Sequence, residues 1–386
     1  MTRWILADQV FDGQTLQAGL AVAVTGDRIS AVGPLPPGQI AHRISGILTP
    51  GYIDLQVNGG GDALLNHDPS PAAMATMAAA HRRFGTVAIL PTVITDAPEV
   101  LARAAAAALA AKGQPGIIGL HIEGPHIAAA RRGTHAERFI RSLDDSTCDM
   151  VRTLRQAGIA VMITLAPEAA TAGQIGLLAA MGAVVSLGHS DATADQTRAA
   201  LAAGAGCFTH LFNAMSPMLN RTAGVVGAAI NSTTPAGIIC DGIHVADEMV
   251  GLAIRARPRP DLMFLVSDAM STVGGSDHFQ LYGQNIRLRH GRLVNDEGSL
   301  AGAHVTMAES VERLVRVVGI APETALRMAV TVPARVIRRP DLATLLDREV
   351  VDLLVLDAGC RLLAGLDSVL ADAPAADVTR PRMKPA

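Results

Sequence analysis

Four short apolar runs in this chain end in a residue that an apolar interior cannot hydrate. Residues 117–122 run into Glu123, residues 183–187 into Gly188-His189, residues 207–209 into His210, and residues 262–267 into Asp268. A charge or imidazole left unpaired at the end of a buried strand is costly, so each position asks for a partner. Two imidazoles and one carboxylate make a three-donor set with one position left for water, the arrangement of a catalytic divalent metal. Asp268 then remains to accept a proton from that water. Taken singly, each residue also suits a local role: Glu123 as an acid near the start of a following helix, Asp268 as a cap. The spacing is loose, unlike H-E-x-x-H, so the chemistry depends on strands that bring all four to one face.

The elements that would do so are legible. From Pro50 onward, apolar runs at 52–57, 86–90, 117–122, 160–165, 183–187, 207–210, 236–239 and 262–266 alternate with Ala-rich stretches at 71–84, 97–112, 191–203 and 245–255. Eight such alternations predict an α/β fold, a (β/α)8 TIM-type barrel, whose chemistry belongs at the carboxyl ends of the strands. Ser70-Pro71 and Asp96-Ala97-Pro98 read as helix starts. Runs at 4–10, 21–25, 28–32 and 352–357 look like strands, and neither terminus alone has enough of them for a core. The expectation is therefore a small β-sandwich domain from both chain termini, 1–48 plus 345–386, beside a barrel at 49–344. Residues 279–294, with a turn at His290-Gly291, read as an inserted β-hairpin. The Ala- and Pro-rich tail from Ala371 reads as poorly ordered.

Composition narrows the function. Lys plus Arg is 32 against 35 Asp plus Glu, a net charge of −3, so no basic excess exists to neutralise a nucleic acid. Cys148, Cys207, Cys240 and Cys360 form no C-x-x-C pair, which points to reduced thiols rather than disulfides or a thiolate zinc site. The start lacks a basic region followed by a long apolar run, and no stretch reaches ~18 apolar residues, so the expected location is cytoplasmic, without membrane partners. Thr134-His135 lies in a loop long enough to cover a barrel mouth, although Arg131, Arg132 and Gly133 by themselves favour a solvated basic loop. Asn213, Arg221 and His244 follow barrel strands and suit an anionic, hydrogen-bonding ligand.

Nine ordered motifs from about Pro50 to Arg335 carry a resemblance: PGYIDLQVNGGG at Pro50, GLHIEGPHI at Gly119, RRGTH at Arg131, TLAPE at Thr164, SLGHSDAT at Ser186, FTHLFNAMSP at Phe208, CDGIHV at Cys240, LVSDAM at Leu265 and LAGAHVTM at Leu300. In these the chain resembles the N-acetylglucosamine-6-phosphate deacetylases of the amidohydrolase superfamily. The resemblance implies that Glu123, His189 and His210 hold the metal and that Asp268 is the general base and acid. It implies sugar-phosphate contacts from Thr134, His135, Asn213, Ala214, Asp241, Gly242, Ile243, His244, Ala301, Gly302 and Ala303. Arg221 and His244 would bind the phosphate, Arg221 from the second subunit of a homodimer.

The implied chemistry is hydrolysis of the acetamide of N-acetylglucosamine 6-phosphate to glucosamine 6-phosphate and acetate. Asp268 takes the proton of the attacking water and returns it to the amine, and His135 helps hold the oxyanion. One divalent ion per subunit is expected, zinc first, with ferrous iron, manganese and cobalt compatible with the same donors. Superfamily members with two metals usually carry His-x-His on the first strand. This chain has Gln56-Val57-Asn58, which favours one strong site and leaves Gln56 as a water or substrate contact or a packing residue. After Arg335 the usual Gly-punctuated turn and return strand give way to Arg338-Arg339-Pro340 and residues 342–349, so the terminal β domain is expected to be irregular there. Two other readings remain: hydrolysis of another amide or of N-acetylgalactosamine 6-phosphate, because loops set the substrate, and a non-catalytic amino-sugar-phosphate sensor, against which the intact Glu123 and Asp268 argue.

Overall fold

A computed structural model describes residues 2–296, 298 and 300–372 of the chain. Eight parallel strands, Tyr52–Val57, Thr86–Ile94, Gly119–Glu123, Ala160–Leu165, Val184–Leu187, Cys207–Phe208, Ala236–Ile238 and Met263–Leu265, pair in sequence order. The seam between the first and eighth is bridged at Val57 and Ala269, with the Asp268 N–H donating to the Gln56 carbonyl at 3.0 Å. The barrel therefore closes as expected, with boundaries that shift. The second strand runs four residues past Leu90, and the sixth stops at Phe208, which leaves Thr209 and His210 in the loop.

Burial on both faces explains the strands' continuous apolar runs. Tyr52, Ile53, Leu55, Ile89, Leu120, Ile163, Leu187 and Phe264 are among the buried core residues. Helices start where side chains can satisfy their first N–H groups. Ser70 accepts from Ala73 N–H, and Thr193 forms a capping box with Gln196. That box starts the helix Ala194–Ala202 three residues after the expected position.

The strands of both termini come together. Thr2–Phe11, Leu16–Gln17, Ala21–Thr25, Arg28–Gly33 and Ala41–Pro50 join Leu353–Leu356 and Leu362–Gly365 in one seven-stranded sheet. Its own core contains Ile5, Val22, Ile29, Leu48, Leu353 and Val355. Residues 342–349 form no strand. Asp347 N–H and Arg348 carbonyl instead pair with Ile29 carbonyl and N–H, each at 2.9 Å, and tie this segment to the sheet edge.

The expected hairpin at 279–294 is a three-stranded sheet, His278–Leu281, Gln284–Arg289 and Arg292–Val294. Besides His290-Gly291, a second turn at Tyr282-Gly283 has two positive φ angles, 53° and 84°. Tyrosine is an unusual residue there, which is why pattern reading passes over the turn. The expected tail beyond Asp372 lies outside the described residues. Among those described, no helix is long and apolar enough to cross a membrane, and all four cysteines are buried and free.

One carboxylate straps the barrel seam. Asp54 on the first strand is fully buried and accepts the N–H of Gln56 at 3.1 Å and of Ser267 on the eighth side at 3.2 Å. Asp54→Ala leaves those two buried donors unpaired and should cost about 1–3 kcal/mol in urea denaturation. Asp54→Asn, which keeps an acceptor oxygen, should cost less. An alanine variant as stable as the parent would show that the strap holds nothing.

Candidate active site

The four strand-end residues meet at the carboxyl face of the barrel. Glu123, 2% exposed, ends the third strand, and its Oε1 lies 3.0 Å from His210 Nε2 and 3.3 Å from His189 Nε2. The two Nε2 atoms are 3.1 Å apart. His189 holds φ +47° after Gly188, whose Cβ would meet Thr209 Cβ at 2.8 Å, so only glycine permits this close approach. His189 Nδ1–H donates to the Arg131 carbonyl at 2.9 Å, which turns Nε2 toward Glu123 and His210, ready to give its lone pair to a cation when no proton sits there.

Three electron-rich atoms this close need a cation or a proton among them. The proton's version is visible in the electrostatics. Burial opposes ionisation of Glu123, but hydrogen bonds from both imidazoles outweigh it and hold the carboxyl well below its usual range. Burial likewise opposes charging of His210, and Glu123 outweighs it and raises the imidazole's pKa. A divalent ion can replace that proton. Ligands of a tetrahedral ion at ~2.0–2.1 Å lie ~3.3 Å apart, close to the separations found here. Among the described residues this trio is the group of three or more metal-capable side chains whose donor atoms all lie within 4.8 Å of one another.

Asp268 follows the eighth strand with φ +52°. Burial first, then the negative charge of Glu123, push its carboxyl up to about 6. Two amides separate and hold the acids. Asn58 Nδ2 donates to Asp268 Oδ1 at 2.7 Å, while Gln56 Nε2 reaches Asp268 Oδ1 at 3.1 Å and Glu123 Oε1 at 2.8 Å. Facing carboxylates, each amide must present its NH2 group.

His135 sits in the loop over the mouth, buried, its ring centroid 4.4 Å from that of His189. Burial and the neighbouring His189 push it down to about 3, so it is neutral near pH 7. Its Nδ1 meets Thr95 Oγ1 at 2.7 Å. The loop is anchored rather than simply solvated: besides the Arg131 carbonyl on His189, Arg131 pairs with Asp191 at 2.8 Å.

These groups surround a cavity of about 170 Å³. Thr134, Asn213, Ala214, His244 and Gly302 also line it. Asp241 accepts from His244 Nδ1 at 2.6 Å and from the N–H groups of Ile243 and His244 at 2.8 Å each. Asp241, Gly242 and Ile243 thus shape the loop that presents His244 and do not themselves line the cavity. Ala301 and Ala303 stand behind Gly302, with Ala303 N–H on the Asp268 carbonyl at 3.0 Å. Gln56 acts from behind, through Glu123 and Asp268. Arg221 is exposed and outside the cavity lining.

Three contributions escaped the sequence reading. Thr95 directly follows the apolar strand that ends at Ile94, the same signal that singled out Glu123, but as a neutral residue it drew no attention. Asn58 stands in the sequence only as an amide where a metal-binding histidine could be, not as the donor that holds Asp268. Apolar lining by Ile94, Met270 and Leu300 left no signal at all.

Comparison with known proteins shows what the whole chain is similar to. The Amidohydrolase family model matches residues 47–379. An N-acetylgalactosamine-6-phosphate deacetylase of Shewanella sp. (strain ANA-3) is 43% identical over 325 residues, 83% of this chain and 82% of that one. An N-acetylglucosamine-6-phosphate deacetylase of Haemophilus influenzae is 33% identical over 82% of this chain and 85% of its own. The crystal structure of N-acetylglucosamine-6-phosphate deacetylase from Pasteurella multocida superposes with a TM-score of 0.85 at 33% identity, covering 95% of this chain and 98% of the other.

The donor geometry makes a prediction about metal content. Protein stripped with chelator and titrated with zinc should retain one equivalent per chain after dialysis, and His189→Ala should retain less than a tenth of that. Two retained equivalents, or undiminished binding by the variant, would contradict the ligand set.

Proposed function

Because the chain belongs to the amidohydrolase family, we propose that it hydrolyses the acetamide of N-acetylglucosamine 6-phosphate to glucosamine 6-phosphate and acetate. The observation that carries the reading is one cavity bounded by a three-donor set, a separate carboxyl raised to about 6, and a neutral imidazole. Together they can supply what metal-assisted amide hydrolysis uses: an activated water, a proton carrier and a donor for the oxyanion.

Glu123, His189 and His210 would hold one divalent ion, zinc by our reading. When bound, it supplies Lewis acidity, which polarises an acyl oxygen and brings the pKa of a water toward ~7. Asp268 accepts the proton of the attacking water at its carboxylate, and Asn58 and Gln56 keep that carboxylate aimed. His135 faces the acyl oxygen and stabilises the charge that develops there. Asp268 then returns its proton to the sugar nitrogen, so an amine leaves rather than an amide anion. The Gln56 NH2 lies between Glu123 and Asp268, which supports one ion rather than a tight pair.

We assign the sugar to Thr134, Asn213, Ala214 and the loops 241–244 and 301–303. His244, lining the cavity and paired with Asp241, suits the phosphate. Arg221, exposed and outside the cavity of its own chain, suits the phosphate of a neighbouring subunit in a homodimer. Four free, buried thiols and a charged substrate fit a cytoplasmic enzyme. The 43% identical relative is named for the galactosamine epimer, so substrate configuration belongs in the test.

Acetate release measured on a panel of N-acetylglucosamine 6-phosphate, N-acetylgalactosamine 6-phosphate and unphosphorylated N-acetylglucosamine tests the reading. The first should be hydrolysed best and the last about 10²-fold less efficiently, because the phosphate's donors lose their charged partner. Preference for the second would reassign the sugar, and no metal-dependent release from any would leave the sensor reading. Asp268→Asn should retain metal and lose about 10²–10⁴-fold in kcat. Since Asp268 must be ionised to take a proton and a bound cation lowers its pKa, kcat/KM should fall on the acid side at or below about pH 6. Activity within tenfold of the parent in the Asn variant would remove Asp268 from this role.

A further inference from the structure

If His135 stabilises an acyl oxygen, one of its nitrogens must present a hydrogen to the cavity, and a neutral imidazole has only one to give. Its Nδ1 is committed to Thr95 Oγ1 at 2.7 Å, and Nε2 has no partner among the described residues. Everything turns on which way the hydrogen of the Thr95 hydroxyl points.

That hydroxyl has two acceptors in reach. One is His135 Nδ1 at 2.7 Å; the other is the Glu123 carbonyl at 3.4 Å, at the limit of a hydrogen bond. Were the hydroxyl to donate to the carbonyl, Nδ1 would carry the imidazole hydrogen and Nε2 would meet the acyl oxygen with a lone pair. The 2.7 Å contact exists in either arrangement, but the hydroxyl hydrogen makes a far stronger bond to Nδ1 over 2.7 Å than to the carbonyl over 3.4 Å, and only the former leaves Nε2 a hydrogen for the acyl oxygen. The surroundings hold the hydroxyl there. Thr95 is fully buried, and a Cβ on Gly124 would fall 2.2 Å from Thr95 Oγ1, so the hydroxyl occupies the space that glycine leaves. From the other side, Tyr282 on the inserted three-stranded sheet donates its hydroxyl to the Thr95 backbone carbonyl.

We propose that Thr95 is a positioning residue that donates to His135 Nδ1 and so fixes the tautomer with hydrogen on Nε2, facing the substrate's acyl oxygen. Gly124 and Tyr282 serve the same end by fixing Thr95. The inference rests on the deacetylase reading for its purpose, but the tautomer itself is a property of the resting protein.

Zinc-loaded protein labelled with 15N in histidine, assigned against His135→Gln, would reveal the tautomer in two-bond proton–nitrogen correlation spectra. The expected pattern is a protonated Nε2 and a bare Nδ1. A protonated Nδ1, or hydrogen on both nitrogens, overturns the proposal without any variant. Thr95→Val should shift His135 toward the other tautomer and lower kcat about 10–100-fold, with KM within about threefold. Thr95→Ser should restore both the spectrum and the rate. An unchanged His135 pattern in a folded Thr95→Val protein would also overturn it. Absence of acetate release by the parent would defeat the functional reading instead, and the parent's spectrum would still decide this one.

Discussion

A carboxylate with 2% of its surface exposed stands at the centre of this molecule, and the structure around it satisfies a charge that the barrel interior cannot solvate. Glu123 shares one oxygen among two imidazoles and an amide. Each partner comes from a different strand end, so the buried charge is met only when the first, third, fifth and sixth strands stand in register. The barrel's closure and the site's electrostatics are thus one constraint. A second carboxylate, Asp268, is tolerated nearby because Gln56 and Asn58 place NH2 groups against it. The imidazoles keep Glu123 ionised, while burial and the charge of Glu123 leave Asp268 with a pKa suited to carrying a proton.

Loops remote in sequence complete the centre from above. The carbonyl of Arg131 fixes the ring of His189, and the same loop carries His135 over the mouth. Asp241 orders three hydrogen bonds around His244, and the Arg313 guanidinium, held by Asp247, packs where a side chain at Gly242 would be. A left-handed glycine there lets the loop turn beneath that cation. Reaction type is set by groups at strand ends, whereas substrate identity depends on such loops.

Much of this was legible in the sequence for a simple physical reason. An apolar run that stops at Glu123, His189, His210 or Asp268 announces a buried strand with a polar end, and eight alternations announce the barrel that gathers such ends. Neutral residues announce less. Thr95 occupies an equivalent place, yet threonine is equally at home in caps and turns, so nothing in its type marks it. The third strand of the insertion was hidden because Tyr282 takes a left-handed conformation that its type does not advertise. Arg221 illustrates the opposite difficulty. The family resemblance singles it out, but within a single chain it is exposed and outside the cavity lining.

The central claim is that one ion is held by Glu123, His189 and His210 while amide hydrogens, not a second ion, join Glu123 to Asp268. Anomalous diffraction at the zinc edge from crystals of the zinc-loaded protein tests it most directly. The account predicts a single strong peak within bonding distance of those three side chains, with Gln56 Nε2 still between the two carboxylates. A second peak of comparable height between Glu123 and Asp268, with Gln56 displaced, would contradict it.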